Sequence, residues 1–238
     1  MSAHEDFSLN TTASSASEDV WSLLFRRQIS SGTLPAYFLN GLNFLGLNAH
    51  NKPTPESLDH ALNPLGWRVE MTQDLLSFGD LCEYFNNNIF PLPTSMRNIN
   101  NLEYSKTPDF FLRCFSQLPC MFDEEYRKIL LEFGRLSKIS VADKDQFLIW
   151  LQRQYWYSVE KGILNRNGML QPIGAQLIDS IVERQHSMDP MLHKPYGMHP
   201  VIRTPIVTET YPSVYYVFDT WSHVRRTLLD FERMYKHA

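Results

Sequence analysis

The stretch "TPDFFLRCFSQLPCM", residues 107–121, decides how the rest of the chain is read. Thr107 suits a helix cap, and Pro108 suits a first helical position, where its missing N–H would be unpaired anyway. Phe110, Phe111, Leu112, Cys114, Phe115 and Leu118 then place apolar groups on almost every side. A helix that is apolar all round is buried. The segment therefore predicts a central helix, ending at Pro119, with other elements packed around it.

Working outward, most neighbours also read as helices. One starts near Ser17 and carries Val20, Leu23, Leu24 and Phe25; a second follows Pro35, with Phe38, Leu42 and Leu45 on one face. A third begins at Thr54 and Pro55 and stops at Gly66, and a fourth opens at Ser77 and runs into the asparagines at 86–88. Further helices are expected from Asp123 to about Ser137, from near Ser140 to Gly162, and from Thr220 to about Tyr235. Between them "GWRVE" (66–70), "IFPLPTSMR" (89–97), "RTPIVTE" (203–209) and "SVYYVFD" (213–219) read as short strands. The fold class is mainly α with small β elements, an α+β domain over residues 17–238. Residues 1–16, polar and rich in Ser, Thr and Asn, read as a flexible tail.

Composition narrows the function by exclusion. A chain of 238 residues with 43% hydrophobic and 13% aromatic content can bury a substantial core. Its net charge of −4, with no basic run, argues against nucleic acid. No apolar stretch approaches the roughly 18 residues of a membrane span, and the first residues lack the basic and apolar regions of a signal peptide. Cys82, Cys114 and Cys120 are an odd number without metal-site spacing, which points to reduced thiols in a cytoplasmic protein. GxGxxG, P-loop, CxxC, HExxH and GxSxG motifs are all absent, and the 8 histidines are scattered. Composition and periodicity alone stop at a mainly helical globular domain.

Five stretches in order go further. "LGWRVEMTQDLLSFGDL" (65–81), "FPLPTSMRNINNLEYSKTPDFF" (90–111), "YWYSVEKGIL" (155–164), "IGAQLIDSIVE" (173–183) and "YPSVYYVFDTW" (211–221) each resemble a segment of one family. That family is the pterin-dependent aromatic amino acid hydroxylases, to which phenylalanine hydroxylase belongs. The resemblance spans roughly residues 17–235. It implies that family's catalytic-domain fold, built around Fe(II) held by two histidines and a glutamate.

The same resemblance implies that this iron site is gone. The family's histidine motif, H-[DE]-L-[FL]-G-H-V-P, falls on "LRCFSQLP" (112–119), so its ligand positions are Leu112 and Gln117. Glu160 alone survives. Leucine has no lone pair, and a glutamine carbonyl is a weak ligand for a transition metal beside imidazole. Cys114 and Cys120 are near in sequence but need not face inward. The pterin contacts have changed as well: Arg113 stands where the family has an acidic residue, Leu81 at its stacking aromatic, and Asp74 at a loop glycine. The expectation is therefore a chain with no metal and no cofactor.

Other site positions are kept. Arg97 falls on the arginine that clamps the substrate carboxylate in the family, and Asp109 on the aspartate that orients it. The alternative for this pair is a buried ion pair tying a strand to a helix. Pro119 and Trp156 hold positions of the substrate-pocket wall, and either also reads as core. Glu160 reads as a ligand-binding group for an ammonium, as an acid/base residue, or as the partner of Arg113 or another cation in a salt bridge that fills the emptied site. Asp179 and Glu183 add carboxylates nearby, Glu183 and His186 reading as structural.

The leading expectation is an iron- and pterin-independent homologue, not a hydroxylase, that binds a small aromatic or amino-acid-like molecule. A protein partner is a further possibility, with the chain a monomer or dimer because the family's coiled-coil tail is absent. The second reading is a metal-free enzyme acting on an aromatic amino acid derivative by isomerisation, elimination or cyclisation, with Glu160 as acid/base. The third is a monooxygenase with an altered metal site.

Overall fold

A computed structural model describes residues 19–73, 75–100, 102–103 and 107–236. The tail expected over residues 1–16 and Asp74 lie outside them. The first helices, α1 (Val20–Ser30), α2 (Ala36–Phe44) and α3 (Pro55–Leu62), follow the apolar spacing of the sequence. Thr54 and Ser57 cap α3 reciprocally, each side chain accepting the other's backbone N–H. A short 3-10 turn follows and Gly66 ends it at φ 75°, a left-handed conformation that favours glycine.

Strand β1 (Arg68–Thr72) leads to α4 (Phe78–Asn86), capped by Ser77, and then to β2 (Ile89–Pro93). The helix is a crossover, so β1 and β2 pair in parallel, Val69 opposite Phe90 and Met71 opposite Leu92. Two helical segments of unusual pitch come later, Leu112–Gln117 and Trp156–Glu160, with α5 (Glu124–Leu136) and α6 (Lys144–Tyr155) between them. Gly134 lets α5 cross α4 closely: a Cβ there would sit 2.6 Å from the backbone nitrogen of Asn86.

The C-terminal part carries β3 (Ile163–Arg166), β4 (Met169–Pro172), α7 (Ala175–Asp179), α8 (Ile181–His186), β5 (His193–Pro195), α9 (Met198–Arg203), β6 (Tyr215–Phe218) and α10 (Trp221–Lys236). The four strands align in the order β4-β3-β6-β5, with β3–β4 antiparallel and the other pairs parallel. Buried side chains form a core running from Trp21 in α1 to Phe231 in α10. Phe111 and Phe115 stack within it at 4.6 Å, and Trp21 meets both edge-on. The described residues are mainly helical with two small sheets, as the sequence indicated.

Three expectations are corrected. The central helix opens at Phe110, because Asp109 rather than Thr107 receives an orphan N–H, that of Leu112 at 2.9 Å. The next long helix begins at Lys144, not near Ser140, because Asp143 accepts the N–H of Gln146. Residues 203–209 form no strand. Pro205 has no N–H to give a ladder, and its carbonyl accepts instead from the hydroxyl of Tyr157 at 2.7 Å.

Candidate functional site

Both segments of unusual pitch are π-helical turns, in which backbone bonds run between residues five apart. Residues at that spacing lie nearly above one another, so Leu112 and Gln117 share one face of the first turn. Glu160 ends the second. Such turns are rare and concentrate at functional sites.

These turns meet through a buried polar cluster. The Nη1 of Arg113 donates to Glu160 Oε1 at 2.7 Å, to Gln117 Oε1, and more distantly to the hydroxyl of Tyr155 at 3.3 Å. Gln117 Nε2 donates to the same hydroxyl at 2.8 Å. Burial works against the Arg113 charge, but Glu160 and Tyr155 outweigh it and raise its pKa. Burial likewise raises the pKa of the Tyr155 phenol, so it stays a neutral hydrogen-bonding group. Glu160 is 2% exposed, and its second oxygen, Oε2, is buried without a hydrogen-bond partner. An unpaired buried carboxylate oxygen is costly and calls for an explanation.

Arg97 lies in a different setting. Its Nε and Nη2 bind both oxygens of Asp109 at 2.8 Å, and Nη2 also donates to Asp179 Oδ1 at 2.8 Å. Nη1 reaches the carbonyl of Leu102 at 3.4 Å. Asp109 also accepts the backbone N–H groups of Arg97 and Leu112, tying the segment after β2 to the central helix. Burial opposes the charge of Asp109, but Arg97 holds its carboxyl below the usual range. Burial, opposed by Arg97 and reinforced by Asp109, pushes Asp179 up to about 6.

A cavity of about 160 Å³ adjoins the first cluster, with Arg113, Tyr155, Trp156, Glu160 and Thr208 in its wall. A larger one, about 430 Å³, shares Trp156 and Thr208 and adds Lys161, Glu183, Glu209 and Tyr211. Trp156 lines both, its Nε1 buried without a partner. Lys161 lies over the Trp156 ring, its Nζ 5.4 Å from the centroid, and forms a buried ion pair with Glu183. Tyr215 donates to the same Glu183 oxygen at 3.1 Å.

The structure thus links Glu160 to Gln117 through Arg113 and puts Glu160 and Trp156 in the wall of one cavity. Leu112 is buried one π-turn from Gln117. Pro119 instead packs on α2, where a Cβ at Gly41 would fall 2.1 Å from its carbonyl oxygen. Cys114 and Cys120 are buried free thiols whose pKa values burial raises. His186 packs against the rings of Tyr211 and Tyr215. Among the described residues, no group of His, Cys, Asp and Glu side chains is arranged to hold a metal ion.

Sequence reasoning missed Tyr155, Lys161 and the 208–211 segment. One signal was present: a lysine directly after Glu160, in an otherwise apolar run, must find a buried carboxylate or reach solvent. Tyr155 and Thr208 carry no such mark, because their contacts are set by the π-turn and by an irregular loop.

Comparison with known proteins gives this geometry a family. A profile described as "Biopterin-dependent aromatic amino acid hydroxylase" matches residues 40–238. The phenylalanine-4-hydroxylase of Ralstonia nicotianae is 26% identical over 231 residues, which cover 93% of this chain and 72% of that enzyme. The phenylalanine hydroxylase structure from Legionella pneumophila superposes with a TM-score of 0.81 at 25% identity, covering 90% of this chain and 95% of that one. The Chromobacterium violaceum enzyme with bound oxidised Fe(III) superposes at 0.84 and 24% identity, covering 92% and 81%, and shares the fold.

Proposed function

We propose, from the premise that the chain belongs to the biopterin-dependent aromatic amino acid hydroxylase family, that it is a member without iron or pterin chemistry. It binds a small aromatic or amino-acid-like molecule in the cavity beside Glu160. The observation that carries this reading is the Arg113–Glu160 ion pair. A guanidinium held 2.7 Å from Oε1 occupies one of the two carboxylate oxygens. Its positive charge also repels a second cation. Leu112 offers no donor, and the Gln117 carbonyl is engaged by Arg113.

The residues present therefore do not fit a two-histidine, one-carboxylate iron site. Nor do they fit the pterin contacts that the resemblance implies, with Leu81 at the stacking position and Arg113 at the acidic one. Support for a ligand comes from the two cavities that Trp156 lines, whose walls include aromatic residues and two with a buried polar atom without a partner.

Two measurements test the proposal. Titration with aromatic amino acids and amines, followed by tryptophan fluorescence, should saturate in the wild type and lose most of its signal change in Trp156→Phe. Incubation with ferrous ion, tetrahydropterin, oxygen and phenylalanine should give no tyrosine above the blank. Absence of binding by every compound would remove the ligand reading; iron-dependent tyrosine formation would remove the rest.

One observation favours a second reading, in which Glu160 exchanges a proton with the bound molecule in a metal-free isomerisation, elimination or cyclisation. Its Oε2 is unclaimed by the protein and belongs to a cavity-lining residue, as a general acid or base requires. Glu160→Gln would then abolish turnover and keep the ring contacts.

A further inference from the structure

We infer that the site reads its ligand by an amino group, received on Glu160 Oε2, and not by a carboxylate held on Arg97. The ligand class is an aromatic ring bearing an aminoalkyl arm, with or without a carboxylate on it. This deepens the ligand-binding reading and rests on it.

Arg97 is committed to the protein. A guanidinium has about five N–H donors. Here the Nε and Nη2 donors go to Asp109 and Asp179, and Nη1 reaches Leu102. The side chain is 2% exposed, and it lines neither cavity beside Trp156. A ligand carboxylate would have to compete there with Asp109 and Asp179, each 4% exposed in its side chain. The carboxylate clamp implied by the resemblance is thus closed by the chain's own aspartates.

Glu160 presents the opposite situation. Arg113 holds one oxygen and leaves the other facing no protein donor. A primary ammonium would supply a charge-assisted hydrogen bond there, whereas a carboxylate would meet like charge. The wider lining agrees in sign. Three carboxylates, Glu160, Glu183 and Glu209, face two cations, Arg113 and Lys161, and each cation is already paired. Trp156 lines both cavities, and Tyr211 lines the larger one.

The test uses matched compounds that differ in one group: tryptamine, tryptophan and indole-3-propionate, with phenethylamine, phenylalanine and 3-phenylpropionate as the smaller set. Each is titrated into the full chain by calorimetry. In at least one set the amine and the amino acid should bind within about tenfold of each other. The propionate should bind at least about tenfold more weakly, the scale of one hydrogen bond to a charged group. Glu160→Gln, checked by circular dichroism, should shrink that preference severalfold while the propionate's affinity stays or rises. A propionate that binds as tightly as its amine overturns the inference and leaves a ligand-binding protein standing. No binding by any of the six overturns both. The wild-type comparison decides the matter even if the variant does not fold.

Discussion

Two buried arginines lie on the same central helix or beside it, and they have opposite meanings. Around Arg97 no carboxylate oxygen is buried without a partner: Asp109 binds in a fork and caps the helix, and Asp179 Oδ1 takes a further guanidinium donor. Around Arg113 the pairing stops short, leaving Oε2 of Glu160, a cavity-lining residue, buried without a partner. Both are buried ion pairs, Arg113 being the more accessible at 11% side-chain exposure against 2% for Arg97, so charge alone does not separate them. What separates them is the unfilled hydrogen-bonding capacity. A saturated cluster fixes the chain, and an unsaturated one next to open space is a place for something else to bind.

The largest effect should come from breaking the saturated cluster. Arg97→Met leaves two buried carboxylates without a cation and should cost about 3–5 kcal/mol in urea denaturation. A loss below about 1 kcal/mol would mean that the cluster is not structural. The cluster should also give stability a pH dependence of unusual sign. Asp179 titrates near 6 in the folded protein against its ordinary 3.8, so the folded state binds the extra proton between those values. Stability should therefore fall as pH rises through that window, by up to about 3 kcal/mol, and Asp179→Asn should remove the slope. The depressed carboxyl of Asp109 acts the other way, its contribution being lost at lower pH, below the ordinary range.

The unsaturated cluster should be more forgiving. Glu160→Gln removes the countercharge of Arg113, but that side chain lines two cavities and stays within reach of water. The expected cost is about 1–2 kcal/mol in the same denaturation experiment. A cost matching that of Arg97→Met would erase the distinction between the clusters. Smallest of all should be Trp156→Phe, which deletes a buried N–H that has no partner and should change stability by less than about 1 kcal/mol. Its consequence should appear in ligand titrations instead.

Much of the fold was legible because local chemistry agreed with global packing. Thr54, Ser77 and Asp123 announce helices that the structure starts at those caps, and Gly66 ends one in the left-handed conformation that its lack of a side chain permits. The β3–β4 hairpin escaped, although Asn167 and Gly168 at positive φ are a strong turn signal. The error over residues 203–209 has the opposite cause. Ile206, Val207 and Thr208 suit a strand, but tertiary contacts hold that segment as a loop whose end lines the larger cavity.

The site was legible in part. A salt bridge between Arg113 and Glu160 was one of three readings of Glu160, and the structure forms it. The π-turns that bring them together leave no mark in periodicity, because an apolar run such as 110–118 fits a wider helix as well as an α-helix. The closure of Arg97 by Asp179 was also out of reach, since the two lie 82 residues apart and only the folded chain pairs them.

Iron content tests the central claim most directly. The protein is purified without chelators, exposed to excess ferrous ion under anaerobic conditions, desalted, and analysed for metal alongside Glu160→Ala. The Arg113–Glu160 pair predicts that both retain iron far below stoichiometric amounts and that they do not differ. Stoichiometric iron in the wild type, lost in Glu160→Ala, would contradict it.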